Sequence, residues 1–234
     1  MSFRGHSLPD ISITSPVTAK SSDETPATPS LADHLLEVQR RDPAVGDFAL
    51  EAPDLLAIKV DGRVRARANA LLAASGQVRI TPASRFATLA KKDDSAGLLA
   101  AIDGKGRVLL GESGKTILLL DFKRNEAIVA APHAILALAD TVSFSSIPVT
   151  LPLKKPVDWT GLLLKGPGKV ALVYQSTLHT VRVTPNSPVF VRTGAVVAWS
   201  ANLTVVGRTG ASVADTRLAF AGDGFVMMPA GLEK

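Results

Sequence analysis

Charged and apolar side chains strictly alternate along Arg63-Val-Arg-Ala-Arg-Ala68. That is the two-residue period of a strand with one buried face. Val181-Arg-Val-Thr184 follows the same rule, and Val189-Phe-Val-Arg-Thr193 follows it in part; both are rich in β-branched residues. Ala57-Ile-Lys-Val60 leads into the first of these segments. Two other segments, Ile117-Leu-Leu-Leu120 and Ala127-Ile-Val-Ala130, are unbroken apolar runs. Their shortness and flanking turn residues predict strands buried on both faces. The chain from residue 46 to 234 thus predicts an all-β body.

Two markers recur within that body. Gly-x-Gly pairs stand at Gly104/Gly106, Gly166/Gly168 and Gly222/Gly224, each followed by a valine (Val108, Val170, Val226) and spaced by 62 and 56 residues. Between them recurs an alanine-containing element: Ala68-Asn-Ala-Leu-Leu-Ala-Ala74, Pro132-His-Ala-Ile-Leu-Ala-Leu138 and Thr193-Gly-Ala-Val-Val-Ala-Trp199. Its shared alanines at 70, 134 and 195 are spaced by 64 and 61 residues. A β-like segment follows each: Gln77-Val-Arg-Ile80, Thr141-Val-Ser-Phe144 and Asn202-Leu-Thr-Val205. Two markers with one period predict three pseudo-repeated β units packed around a common core, which leaves fewer open sheet edges. The glycines serve as structural turn positions, where positive φ is needed.

The first 45 residues read differently. Residues 1–30 contain seven Ser, four Thr and four Pro, too little apolar surface to offset the entropy of ordering. Ser30-Leu-Ala-Asp33, with Leu31, Leu35 and Val38 at helical spacing, predicts one short helix near 31–41, ended by Asp42-Pro43. This gives a flexible extension over 1–45 and a β domain over 46–234. No secretory signal is expected, because no apolar core follows Arg4; the match to a mitochondrial transit peptide is poor.

The residues of the body carry a family likeness. Val64-Arg-Ala-Arg-Ala-Asn-Ala-Leu-Leu-Ala-Ala-Ser-Gly-Gln-Val78, Val189-Phe-Val-Arg-Thr-Gly-Ala-Val-Val-Ala-Trp199 and Gly161-Leu-Leu-Leu-Lys-Gly-Pro-Gly-Lys-Val170 resemble repeat signatures of the altered-inheritance-of-mitochondria protein 24 family. The likeness spans residues 47–231. It implies a fold related to the tryptophan-RNA-binding attenuation protein (TRAP-like), with three pseudo-equivalent sheets. It brings no catalytic residues. Fungal mitochondrial members are linked to inner-membrane organisation, so the expected compartment is cytoplasmic, or mitochondrial in a fungal host.

Candidate chemistry is sparse. The chain has no cysteine, which excludes disulfides, thiolate metal sites and a cysteine nucleophile. Gly111-Glu-Ser-Gly-Lys-Thr116 lacks the first glycine of a phosphate-binding loop, since Leu109 stands there, and an apolar strand-like run follows it. A hairpin turn is the better reading. His6, His34, His133 and His179 have no partners at metal-ligand spacing, and acidic residues are dispersed. Catalytic, cofactor and metal residues are therefore none, and no cofactor is expected. Trp159 and Trp199 read as core or repeat-interface residues.

Charge singles out one strand. Residues 1–50 carry a net −3 (four basic, seven acidic) and residues 51–234 a net +8 (22 basic, 14 acidic). Arg63, Arg65 and Arg67 share one face of an extended segment at roughly 6.6–6.8 Å spacing. They are the candidate contacts to an anionic surface. Stacking aromatics are lacking beside them, so no specific nucleic acid is expected. Two functional readings follow. One is a non-enzymatic scaffold or assembly module that binds itself or another protein. The alternative is a peripheral binder of anionic membrane lipid or nucleic acid, in either case without a transmembrane segment.

Overall fold

The computed structural model describes residues 47–82, 99–151, 157–208 and 216–230. The extension, with its expected helix at 31–41, lies outside them. Strands dominate. β1 (Phe48–Ala52) and β2 (Leu55–Arg67) form a tight antiparallel pair. β3 (Leu71–Pro82) and β4 (Leu99–Gly111) are also long and antiparallel. They are followed by β5 (Lys115–Phe122), β6 (Ala127–Ala130), β7 (Ile135–Ala139) and β8 (Ser143–Leu151). The second half contributes β9 (Val157–Lys165), β10 (Gly168–Gln175), β11 (Thr177–Val183) and β12 (Val189–Arg192). Last come β13 (Ala198–Ser200), β14 (Thr204–Arg208), β15 (Arg217–Ala221) and β16 (Gly224–Ala230).

These strands make three sheets. The largest runs β3-β4-β2-β7-β10-β5, with β1 added to β2; the second runs β11-β16-β13-β6-β9-β8; the third is β12-β15-β14. The period-2 reading of β2 holds from Val60 to Ala66 apart from the exposed Gly62, and reverses at Arg67, which is buried, and Ala68, which is exposed. Val60, Val64 and Ala66 are buried, whereas Asp61 and Arg63 are exposed. The apolar run of β6 is buried at three successive positions. The run of β5 is not: Leu118, Leu119 and Leu120 are half-buried, because β5 is a sheet edge paired on one side with β10.

A single 3-10 turn precedes each of β3, β7 and β13, at Ala68–Ala70, Pro132–Ala134 and Thr193–Ala195. Each turn is entered from an extended residue (Arg67, Ala131, Arg192). Each is closed by a bond from the N–H of its C-terminal flanking residue to the first carbonyl of the turn. The core comprises three apolar clusters. Ala70 lies in the first with Leu56, Ile58 and Leu110; Ala134 in the second with Ile135, Leu164 and Leu172; Ala195 in the third with Trp199, Leu218 and Phe220. In the third, Trp199 stacks on Trp159 with centroids 5.6 Å apart and meets Phe220 edge-on. Gly161 lies beneath that indole, where a Cβ would come within 2.5 Å of the ring.

The glycine pairs do not all mark turns. Gly166 and Gly168 flank the β9–β10 link, and Gly222 and Gly224 the β15–β16 link, where the chain passes from one sheet to another. Gly104 and Gly106 instead lie inside β4, paired with Gly62 and Val60 of β2 and with Val78 and Gly76 of β3. Gly104 has φ +123°, and a Cβ there would meet the Gln77 carbonyl oxygen at 2.0 Å. The same backbone freedom that makes a turn elsewhere here serves a bend in a continuous strand. The segment 111–116 is a turn, closed by a bond from the Lys115 N–H to the Glu112 carbonyl. It is not a hairpin, since β4 pairs with β2 and β3 whereas β5 pairs with β10.

Candidate functional site

β2 crosses the middle of the largest sheet, so its odd-numbered side chains project from one face beside those of β4 and β3. Register sets Arg63 opposite Asp103, Asp61 opposite Lys105 and Lys59 opposite Arg107. Arg79 and Ser75 of β3 extend two of these rows. Of the three arginines on this side of the strand, Arg63 is exposed and Arg65 half-buried, and their charges are matched within the chain. Arg63 pairs with Asp103 at 2.6 Å and Arg65 with Asp140 at 2.7 Å; Lys105 approaches Asp61 at 3.7 Å, and Arg107 pairs with Glu51. Arg65 also lies over the Phe144 ring, 5.5 Å from its centroid. The bond and charge of Asp103 raise Arg63 above its ordinary pKa.

Arg67 departs furthest from the expectation of an exposed contact: it is 3% exposed. The strand carries it under the β4–β5 turn, where it pairs with Glu112. Its guanidinium also donates to the carbonyls of His133 and of Ile135, the latter at 2.7 Å. Those carbonyls belong to the 132–134 turn and the residue that closes it. Arg67 therefore binds the chain leaving β2 to the turn that starts β7. Burial pushes its guanidinium below the ordinary value, against the charge of Glu112, but an arginine stays charged even so. Burial alone would raise the Glu112 carboxyl; Lys115 and Arg67 outweigh it and hold Glu112 below the ordinary carboxylate range. Lys115, the lysine of the phosphate-loop-like segment, is thus engaged by a carboxylate within its own turn.

A shallow cleft of about 400 Å³ opens on the bend of the sheet, lined by Lys59, Asp61, Ser75, Gly76, Lys105 and Arg107 among others. Lys59 and Arg79 form no ion pair among the described residues. His133 contributes its carbonyl to the Arg67 node, and His179 sits on β11 opposite Met228; His6 and His34 lie outside the described residues. Among the described residues, no three His, Asp or Glu side chains come together as metal ligands, and no helix is long and apolar enough to cross a membrane. Glu112, Asp103 and Asp140 were not singled out by sequence, because each is distant along the chain from the arginine it meets.

The relatives of the chain fit this architecture. A family model described as Mitochondrial biogenesis AIM24 matches residues 55–231. The chain belongs to the AIM24 family. The match begins at the first residue of β2 and ends just past β16, so it takes in the arginine ladder and all three 3-10 turns. The X-ray crystal structure of a Streptococcus pyogenes protein is similar to this AIM24-family chain, with a TM-score of 0.59 and 13% identity. The likeness covers 79% of this chain and 92% of that one, and at that identity it concerns the fold alone. No curated protein matches the chain.

Proposed function

We propose that this AIM24-family chain is a non-catalytic β assembly module of three like units of about 60 residues, as the marker spacings give. Support for the units comes from the three 3-10 turns of the same length and closing bond, each leading into a strand and each placing an alanine in a different core cluster. The observation that carries the assembly reading is the use made of the charges. Arg63 joins β2 to β4, Arg65 joins β2 to the loop after β7, and Arg67 joins β2 to two turns. Among the described residues these three side chains hold strands in place, and none of them lines the cleft beside the ladder. Association with itself or another protein is the activity left to such a module.

Light scattering on the full chain over a concentration series, run beside a small-molecule thermal-shift screen, tests this. The reading expects mass to rise with concentration and melting to be unmoved by the compounds. A chain that stays monomeric and is stabilised by a small molecule overturns it.

A second reading, contact with an anionic surface, is favoured by one observation: Lys59 and Arg79 share the face of the ladder and lack ion-pair partners among the described residues. Association with acidic vesicles and with RNA across a salt series tests it. The reading expects binding that weakens with salt, and no binding at low salt removes it.

A further inference from the structure

We infer that β3 is the edge through which a second copy of this chain pairs; the inference rests on the assembly reading and gives it a surface. β3 is 12 residues long and ends the largest sheet, paired with β4 on one side. Among the described residues no strand pairs with its outer edge, and residues 72–77 and 79–81 are all exposed. Leu72 is 63% exposed and Ile80 42%. Proteins blunt open edges by keeping them short, charging them or covering them. The other edges differ from β3: β1 has five residues, and β8, nine residues long and uncharged, is interrupted by Pro148 and has Val149 and Leu151 buried. β12 and β14 have four and five residues, β11 has seven and carries His179 and Arg182, and β5 is half-buried. Only β3 among these edges is long, exposed and nearly uncharged, with Arg79 its one charge.

The strand is suited to itself. Antiparallel pairing about a two-fold axis through Gly76 brings residues 71–81 of the two strands together over roughly 36 Å, and forms about ten backbone hydrogen bonds. In that register Leu72 faces Ile80, Ala73 faces Arg79 and Ala74 faces Val78, so no like charges meet. A register centred on Arg79 sets the two arginines against each other. Two seven-stranded sheets then become continuous. One strand edge buries less than the roughly 800 Å² per partner of a standard interface, so this association is reversible and follows concentration.

The test is sedimentation velocity on the full chain and on Leu72→Lys/Gln77→Lys, which adds charge at exposed positions near the end and at the centre of the pairing. Phe190→Lys, which adds one charge at an exposed apolar position on the β12 edge, is the control. Circular dichroism and melting establish that each variant folds, and Ser75→Lys, also exposed and near the axis, replaces the double variant if it does not. The inference expects the wild type and Phe190→Lys to associate alike, and the β3 variant to dissociate roughly tenfold or more readily. Unchanged association in the β3 variant, or equal weakening by Phe190→Lys, overturns the β3 edge and leaves the assembly reading intact. A wild type monomeric throughout the series overturns the β3 pairing together with the self-association half of the assembly reading.

Discussion

Arg67→Met is the sharpest perturbation of the charge network. Methionine keeps the unbranched stem and much of the volume, so packing changes little, while the guanidinium and its bonds are lost. Those bonds are the pair with Glu112 and the donations to the carbonyls of His133 and Ile135. Removing one member of a buried pair costs about 3–5 kcal/mol. Glu112 retains Lys115, which places the cost near the lower end, about 3 kcal/mol. For a body of this size that corresponds to a melting temperature lowered by roughly 6–12 °C. Urea unfolding at fixed protein concentration, followed by circular dichroism, reads the change as a shifted midpoint at constant slope. Arg67→Lys should fall between, because a single ammonium cannot span three acceptors. Adding Glu112→Leu to Arg67→Met should restore part of the loss, since an apolar replacement of the whole pair leaves no stranded charge. A loss under about 1 kcal/mol for Arg67→Met, the worth of a surface pair, would refute the structural role assigned to this residue.

Four further outcomes follow from the same geometry. Gly161→Ala places a methyl 2.5 Å from the Trp199 ring and 2.7 Å from Val129; it should cost about 1–3 kcal/mol and alter the near-ultraviolet dichroism of the stacked tryptophans. Gly104→Ala should be worse, because its neighbour is the Gln77 backbone and its φ is +123°; unfolding should be less cooperative as β3 parts from β4. Arg63→Ala, at an exposed pair, should leave the melting temperature where it was. Glu112 is held below the ordinary carboxylate range in the folded state, so its stabilisation is complete above that range and lost as pH falls through the lowered folded value. The melting difference between wild type and Glu112→Gln should therefore shrink in acid, and a difference that grows would contradict the sign.

Periodicity was legible in the sequence wherever one residue's neighbours decide its environment. The alternation in β2, the apolar run of β6 and the recurring alanines at 70, 134 and 195 all correspond to local structure. What depends on a distant strand was not legible. Arg67 has the same local context as Arg63 and Arg65, yet it is buried because Glu112 and the 132–134 turn, 45 and 66 residues away, close over it. Gly104 and Gly106 have the signature of a turn, and only the pairing of β4 with β2 and β3 makes them a bend. The half-burial of β5 and the exposure of β3 likewise follow from sheet order, which the pattern Leu71-Leu-Ala-Ala-Ser-Gly-Gln-Val-Arg-Ile-Thr-Pro82 does not encode.

Amide hydrogen exchange on the intact chain, at low and high concentration, tests most directly whether this protein works by association through an open sheet edge. Amides of residues 72–81 that exchange quickly when dilute and slow markedly when concentrated, while those of β6 and β7 stay protected throughout, are the result the account predicts. Exchange along β3 that is the same at every concentration would contradict it.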